Sequence, residues 1–243
     1  MLSNPAKGAA CMLQGIHLIT RSGLKRFVLI PLLINVFVFS GAIWYGSIQF
    51  DTLMTYLQSL LPDWLNWLEW LLWPLFLLTL LVLVFYSFTL VANLIASPFN
   101  GLLAEKTEAL MTGQSLQDNG DMSKLVRELP NTLIDEVRKM LYVIFWSIPF
   151  LILAVVVPVV GPVIWFLFTA WMLAVEYSDF PMGNHGFEFR DMLARLRQRR
   201  LTSMGFGAAA VSLTMIPVLN FIAMPAAVAG ATALWVRELD TTT

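Results

Sequence analysis

Four long stretches without any Asp, Glu, Lys or Arg dominate this sequence, at 27–50, 71–99, 140–175 and 201–236. About 20 apolar residues in a helix are enough to cross the hydrocarbon core of a bilayer, which is about 30 Å thick. The chain is 58% hydrophobic and 13% charged, whereas soluble domains carry about 25% charged residues. It has too few charges to cover a water-facing surface. The pattern therefore predicts an all-α integral membrane protein that forms a single membrane domain over 1–243.

The first two stretches predict two long transmembrane helices, 27–50 and 71–99. The other two are too long for single spans, because an unbroken helix over 140–175 or 201–236 would extend about 54 Å. Proline ends or kinks a helix, and Pro158, Pro162, Pro217 and Pro225 interrupt these stretches. Each is therefore interpreted as a helical hairpin. The uncharged turns favour hairpins that penetrate the membrane only partly; four thin spanning helices are the alternative.

The positions of the basic residues predict the orientation. All 15 Lys and Arg residues lie before residue 27, within 100–139, within 176–200 or at Arg237, and none lies in 51–70. The positive-inside rule places these segments and both termini in the cytoplasm and 51–70 outside. We therefore expect a cytoplasmic helical segment over 100–139 and a cytoplasmic loop over 176–200, with both hairpins entering from the cytoplasmic face.

A candidate anion site precedes the first membrane helix, where Gly23, Leu24, Lys25 and Arg26 follow Arg21. A helix N-terminus has unpaired backbone N–H groups and a partial positive charge, and cationic side chains stand beside it here. This combination suits an oxyanion. The alternative is that the same residues set the membrane orientation and contact phospholipid headgroups.

Charged residues are absent from the four apolar stretches, although such residues usually mark ion pathways in membranes. A polar route would then lie at subunit contacts or along asparagines. Glu105 and Glu108 share one face of a predicted helix at i, i+3 and are interpreted either as gating carboxylates or as a solvated surface. The candidate pathway or gating residues are Asn35, Asn93, Asn100, Glu105, Glu108 and Asn220.

Residues 176–185 form a polar cluster where the first hairpin leaves the membrane. Glu176, Asp179 and His185 have no standard metal-ligand spacing, so we predict a structural role and no metal site. The sequence has no phosphate-binding loop, dinucleotide-binding motif or local nucleophile–base arrangement. We therefore expect neither enzymatic activity nor a cofactor.

Three groups of residues are informative together. They are residues 23–27 running into 30–35, residues 98–100 with 103–106, and residues 176–181 with Asn184 and His185. In order and spacing they resemble the bacterial sulfate permease family called CysZ, which shares a domain with the eukaryotic EI24 proteins. The resemblance covers nearly the whole chain. It implies two long membrane helices plus two partly penetrating hairpins, assembled as a homo-oligomer.

The resemblance also implies a function, which is sulfate import across the bacterial inner membrane for cysteine biosynthesis. Carried over by position, the backbone amides of Gly23, Leu24 and Lys25 and the guanidinium of Arg26 would bind sulfate. Lys25 stands where the family commonly has arginine, and the two differ in hydrogen-bonding geometry. The expected partners are sulfate, membrane lipids and further copies of the chain, with no nucleic acid. The alternative function is a non-transporting membrane scaffold or lipid-interacting protein.

Overall fold

The computed structural model describes residues 3–60, 74–75, 77–78, 81–82, 99–114, 122–157 and 159–240, and every regular element in these ranges is helical. The predicted all-α architecture is therefore confirmed for the described residues. Most of the predicted 71–99 helix lies outside them. The helices are α1 (Pro5–Ile19), α2 (Lys25–Leu60), α3 (described over 99–112), α4 (Met122–Val156), α5 (Gly161–Asn184), α6 (Phe189–Gln198), α7 (Arg200–Thr214) and α8 (Pro217–Leu234), which a π-helix (Trp235–Leu239) continues.

Four of the described helical segments are long and apolar enough to cross a membrane: Lys25–Tyr45, Arg138–Val156, Gly161–Asn184 and Pro217–Leu239. Helix α2 runs ten residues past the predicted end at residue 50. Residues 51–60 contain no glycine or proline to stop it. The chain forms two compact units, one of Met1–Val28 with Asn100–Thr243 and one of Leu29–Phe99.

Each of the two long apolar stretches is divided once, before Pro162 and at Pro217, whereas Pro225, which was also expected to interrupt its stretch, lies inside α8. Helix α4 ends at Val156 and α5 begins at Gly161, while α7 ends at Thr214 and α8 begins at Pro217. Large apolar side chains at both breaks are exposed, among them Val159, Val218 and Phe221. Helix α5 continues to Asn184 and α6 follows it, so most of the predicted 176–200 loop is helical. Between Gly161, where α5 begins, and Gly183 the sequence contains no glycine that would stop the helix earlier.

Helix α1, which the sequence analysis did not predict, lies in the core of the larger unit against α7 and α8. Its start has a recognisable signal, because the side chain of Asn4 caps the amide of Ala6 at 2.9 Å and Pro5 occupies the first turn. Close packing depends on glycine. A Cβ at Gly15 would lie 2.0 Å from the carbonyl oxygen of Ala226, and a Cβ at Gly8 would lie 1.8 Å from that of Thr202.

Candidate functional site

A tight basic turn joins α1 to α2 at residues 20–24. Gly23 has a φ of 97°, and no atom lies within 4 Å of the position that its Cβ would occupy. Such a backbone conformation strongly favours glycine. Leu24 is almost completely buried and anchors the turn, whereas Arg21, Lys25 and Arg26 are exposed. The fold therefore presents three cationic side chains around a glycine whose backbone is open to solvent.

The amides of this turn divide into two groups. Those of Leu24 and Lys25 both donate to the carbonyl oxygen of Arg21, at 3.2 and 3.4 Å. Those of Gly23 and Arg26 make no backbone hydrogen bond within the described part of the chain. Two of the three amides expected to hold sulfate are thus engaged inside the turn. The donors that remain are the Gly23 amide and an Arg26 amide at the start of α2.

A cavity of about 390 Å³ lies beside the basic turn. Arg21 and Arg237 both line it, together with Gln14 and the apolar side chains of Leu110 and Met111. Arg237 lies in the π-helix and is exposed. Sequence reasoning used Arg237 only for orientation, because its approach to the N-terminal turn follows from the packing of α1 against α8 and not from local sequence.

A second polar cluster joins α3 to the end of α5. The carboxylate of Glu108 is almost fully buried, and its Oε1 lies 2.8 Å from Nε2 of His185. Nδ2 of Asn184 donates to the carbonyl oxygen of Gly101 at 2.9 Å. The ring of His185 also lies 5.2 Å from that of Trp235. These contacts between distant parts of the sequence fasten the basic segment after α5 to α3.

Three polar atoms at candidate pathway residues are buried without a hydrogen-bond partner among the described residues. They are Oε2 of Glu108, Nδ2 of Asn100 and Oδ1 of Asn35. An unpaired buried polar group costs about 1–3 kcal/mol, so such groups are expected where water or a polar solute reaches the site. Asn100 and Glu108 both lie on α3. Asn35 belongs to the other compact unit.

The remaining candidate residues have separate surroundings. Glu105 is half-buried and bonds the adjacent Lys106 at 2.8 Å. Asn220 is exposed in the first turn of α8, where its amide donates to the carbonyl oxygen of Ile216. Within the described ranges, no hydrogen bond joins Asn220 to the basic turn or to Glu108. Asn93 lies outside the described residues.

The acidic residues Glu176 and Asp179, near the end of α5, form ion pairs in the structure. Nζ of Lys139 lies 2.8 Å from Oδ2 of Asp179 and 4.0 Å from Oε2 of Glu176, which connects α4 to α5. Among the described residues, no group of three His, Cys, Asp or Glu side chains is arranged to hold a metal ion. The polar residues of 176–185 therefore connect helices in this part of the fold.

The helical fold and its four membrane-compatible segments define a multi-pass membrane protein. The family described as sulfate transporter CysZ/etoposide-induced protein 2.4 matches residues 11–225 of the chain. The protein belongs to this family, as the resemblance of its sequence motifs predicted. The match includes the basic turn, α3 and the cluster around His185.

Proposed function

We propose that this protein is a sulfate permease that imports sulfate across the bacterial inner membrane for cysteine biosynthesis. Membership of a family named for a sulfate transporter supports this function. The observation that carries it is the turn at Gly23, where an open backbone at φ 97° is surrounded by exposed cationic side chains.

The basic turn suits a doubly charged oxyanion. The free amides of Gly23 and Arg26 offer directional donors, and the start of α2 adds the positive end of a helix dipole. Arg21 and Arg26 supply guanidinium groups, which match the geometry of tetrahedral oxyanions. Leu24 acts by anchoring the turn. The amides of Leu24 and Lys25 would bind sulfate only after breaking their hydrogen bonds to the carbonyl oxygen of Arg21.

The neighbouring cavity extends this site. Arg237 and Gln14 face the same space as Arg21, so a sulfate ion in it would meet two guanidinium groups close to Gly23. The proposed import route reaches this cytoplasmic site from the outer side through a homo-oligomer, either at subunit contacts or along the unpaired polar atoms of Asn100 and Glu108. The buried carboxylate of Glu108, when it is ionised, would repel sulfate, and Glu108 would therefore act as a gate.

The exposed apolar side chains at the helix breaks support hairpins that lie in the membrane. The proposed topology has partly penetrating hairpins, a cytoplasmic basic face and both termini in the cytoplasm. Because no motif for nucleotide hydrolysis occurs in the sequence, we propose that flux runs down the sulfate gradient that assimilation maintains. We propose that the protein transports sulfate without catalysing a reaction.

Radiolabelled sulfate uptake into liposomes that hold the purified protein tests the function. We expect uptake above that of empty vesicles. Arg26→Ala should lower the uptake rate about tenfold or more, because charged hydrogen bonds contribute about 1.5–3 kcal/mol. Arg237→Ala should lower the uptake rate by a smaller factor. Arg190→Ala is the matched control, since Arg190 is an exposed arginine of α6 that does not line the cavity beside the turn.

Folded protein that takes up no sulfate, and that shows no heat of sulfate binding in calorimetry, would support the alternative of a scaffold or lipid-interacting protein. Equal losses of uptake in Arg26→Ala and Arg190→Ala would contradict the proposed sulfate site but would not contradict sulfate transport by the protein.

A further inference from the structure

A groove of about 330 Å³ lies between α4, α5 and the start of α7. Tyr142, Trp146 and Phe150 occupy one face of α4 at successive four-residue intervals and form one wall. Phe168 of α5 stacks on Phe150 with ring centroids 4.8 Å apart. The groove is therefore lined mainly by aromatic rings, and its volume falls within the range of about 300–1,000 Å³ typical of ligand sites.

One end of this groove is cationic. Arg197, near the end of α6, and Arg200, the first residue of α7, both line it and are exposed. Within the described ranges neither forms an ion pair, whereas their neighbour Arg195 donates to the carbonyl oxygen of Leu239. Two guanidinium groups at the groove thus remain available for an anion.

Tyr142 adds a hydrogen-bond donor to the groove. Its hydroxyl oxygen accepts from Nε1 of Trp171 at 2.9 Å, so its own proton remains to be donated. One turn before it, Lys139 bonds Asp179 of α5, which marks the start of the apolar Arg138–Val156 segment of α4 as its polar end. From Tyr142 to Phe150 the aromatic wall extends about 12 Å along the helix axis. One leaflet of the hydrocarbon core is about 15 Å deep.

We propose that this groove binds one anionic phospholipid, with the phosphate on Arg197 and Arg200 and an acyl chain along the aromatic wall of α4. Charge complementarity selects this occupant, because guanidinium groups bind phosphate bidentately. Basic pockets between membrane helices bind anionic headgroups in this way. A zwitterionic lipid brings its own cation, which would face the two arginines. A soluble oxyanion would use the polar end alone and leave the 12 Å aromatic wall uncovered.

Native mass spectrometry of the full-length protein in detergent tests the proposal, with phosphatidylglycerol and phosphatidylcholine of matched acyl chains as the two lipids. We expect the wild type to prefer phosphatidylglycerol. Arg197→Ala and Arg200→Ala should each weaken its binding about fivefold, and together about 30-fold, with phosphatidylcholine binding unchanged. Trp146→Ala should weaken both lipids, because it shortens the apolar wall. Arg190→Ala, on α6 but outside the groove, should leave both affinities as in the wild type.

Equal binding of the two lipids by the wild type would overturn the proposal, as would wild-type affinity for phosphatidylglycerol in the double alanine variant. A change of oligomeric state in that variant, without a change in lipid binding, would assign the groove to a contact between copies of the chain. Should the double variant fail to fold, Arg197→Gln with Arg200→Gln retains a longer polar side chain than alanine does, and the same 30-fold loss is expected. Arg197→Lys with Arg200→Lys should retain the preference for the anionic lipid.

Discussion

At the scale of single residues, the most consequential contact joins Glu108 to His185. Glu108 is 6% exposed, and of its two carboxylate oxygens only Oε1 has a partner among the described residues. Removing a charged group from water costs several kcal/mol unless partners compensate. Glu108 therefore depends on His185, and a water molecule at Oε2 would complete its hydrogen bonding.

His185→Ala should lower the stability of the protein by about 1–3 kcal/mol, since it leaves the buried carboxylate of Glu108 unpaired. Thermal unfolding in detergent, followed by tryptophan fluorescence, measures the change. His17→Ala is the matched control, because His17 is the other histidine and is exposed on α1. Adding Glu108→Gln to His185→Ala should recover part of the loss, as a neutral amide is less costly to bury. No recovery would contradict the electrostatic explanation.

Cys11 gives a second prediction at this scale. Burial raises the pKa of the Cys11 thiol above its ordinary value, because the thiolate would lose its hydration. At pH 8, iodoacetamide should modify Cys11 far more slowly in the folded protein than after unfolding in dodecyl sulfate. The stability contributed by the protonated thiol is complete below about pH 8.5 and is lost as the pH rises through the raised pKa. Equal modification rates in both states would show that Cys11 is accessible.

At the scale of elements, α1 determines how the larger unit closes. It packs against both α7 and α8, and its backbone approaches theirs at Gly8 and Gly15. Small residues allow helix backbones to come close where the hydrophobic driving force between helices is weak. Helix α8 contributes Ala226 and Gly230 at a spacing of four to the same contact. Because α1 leads directly into the basic turn, this packing also fixes the position of Gly23.

Gly15→Ala should destabilise the protein by about 1–3 kcal/mol or more, since its Cβ would lie 2.0 Å from the carbonyl oxygen of Ala226 and force α1 away from α8. Gly41→Ala is the matched control. Gly41 lies inside α2, and no atom lies within 4 Å of the position that an alanine Cβ would occupy there. Alanine should therefore be neutral or stabilising by up to about 1 kcal/mol. Unfolding midpoints in detergent compare the two variants. Similar midpoints would contradict close packing at Gly15.

At the scale of the whole molecule, the distribution of charge predicts a single orientation. The basic residues lie outside 51–70, and the apolar helix breaks bear exposed side chains such as Val159 and Phe221. A membrane accommodates both features when the basic segments face one side and the breaks lie in the apolar phase.

Cysteine labelling tests this orientation. In a Cys11→Ser background, which has no other cysteine, we expect Gln198→Cys and Asp240→Cys to react with a membrane-impermeant maleimide from the cytoplasmic side only. Asp63→Cys should react from the opposite side. Val159→Cys, at an apolar break, should react from neither side if the hairpin lies within the membrane. Labelling of positions 63 and 198 from the same side would contradict the positive-inside prediction.

The sequence alone determined the helical class, the multi-pass membrane character and one break in each long apolar stretch, although Pro225 does not interrupt α8. These properties are local, since about 20 apolar residues specify a span and proline removes a backbone donor wherever it stands. The resemblance also led to the correct family. The same local reasoning did not predict α1, because a helix with Lys7 and two glycines is neither apolar throughout nor strongly patterned.

Only the tertiary structure decided which distant residues meet. The pairing of Glu108 with His185, the approach of Arg237 to Arg21 and the two arginines at the aromatic groove all depend on how helices pack. Helix periodicity relates residues three or four positions apart, but it carries no information on contacts between helices separated by tens of residues. The sequence likewise did not predict the hydrogen bonds from the amides of Leu24 and Lys25 to the carbonyl oxygen of Arg21. They depend on the φ of Gly23 and on the burial of Leu24, and both are set by the three-dimensional turn.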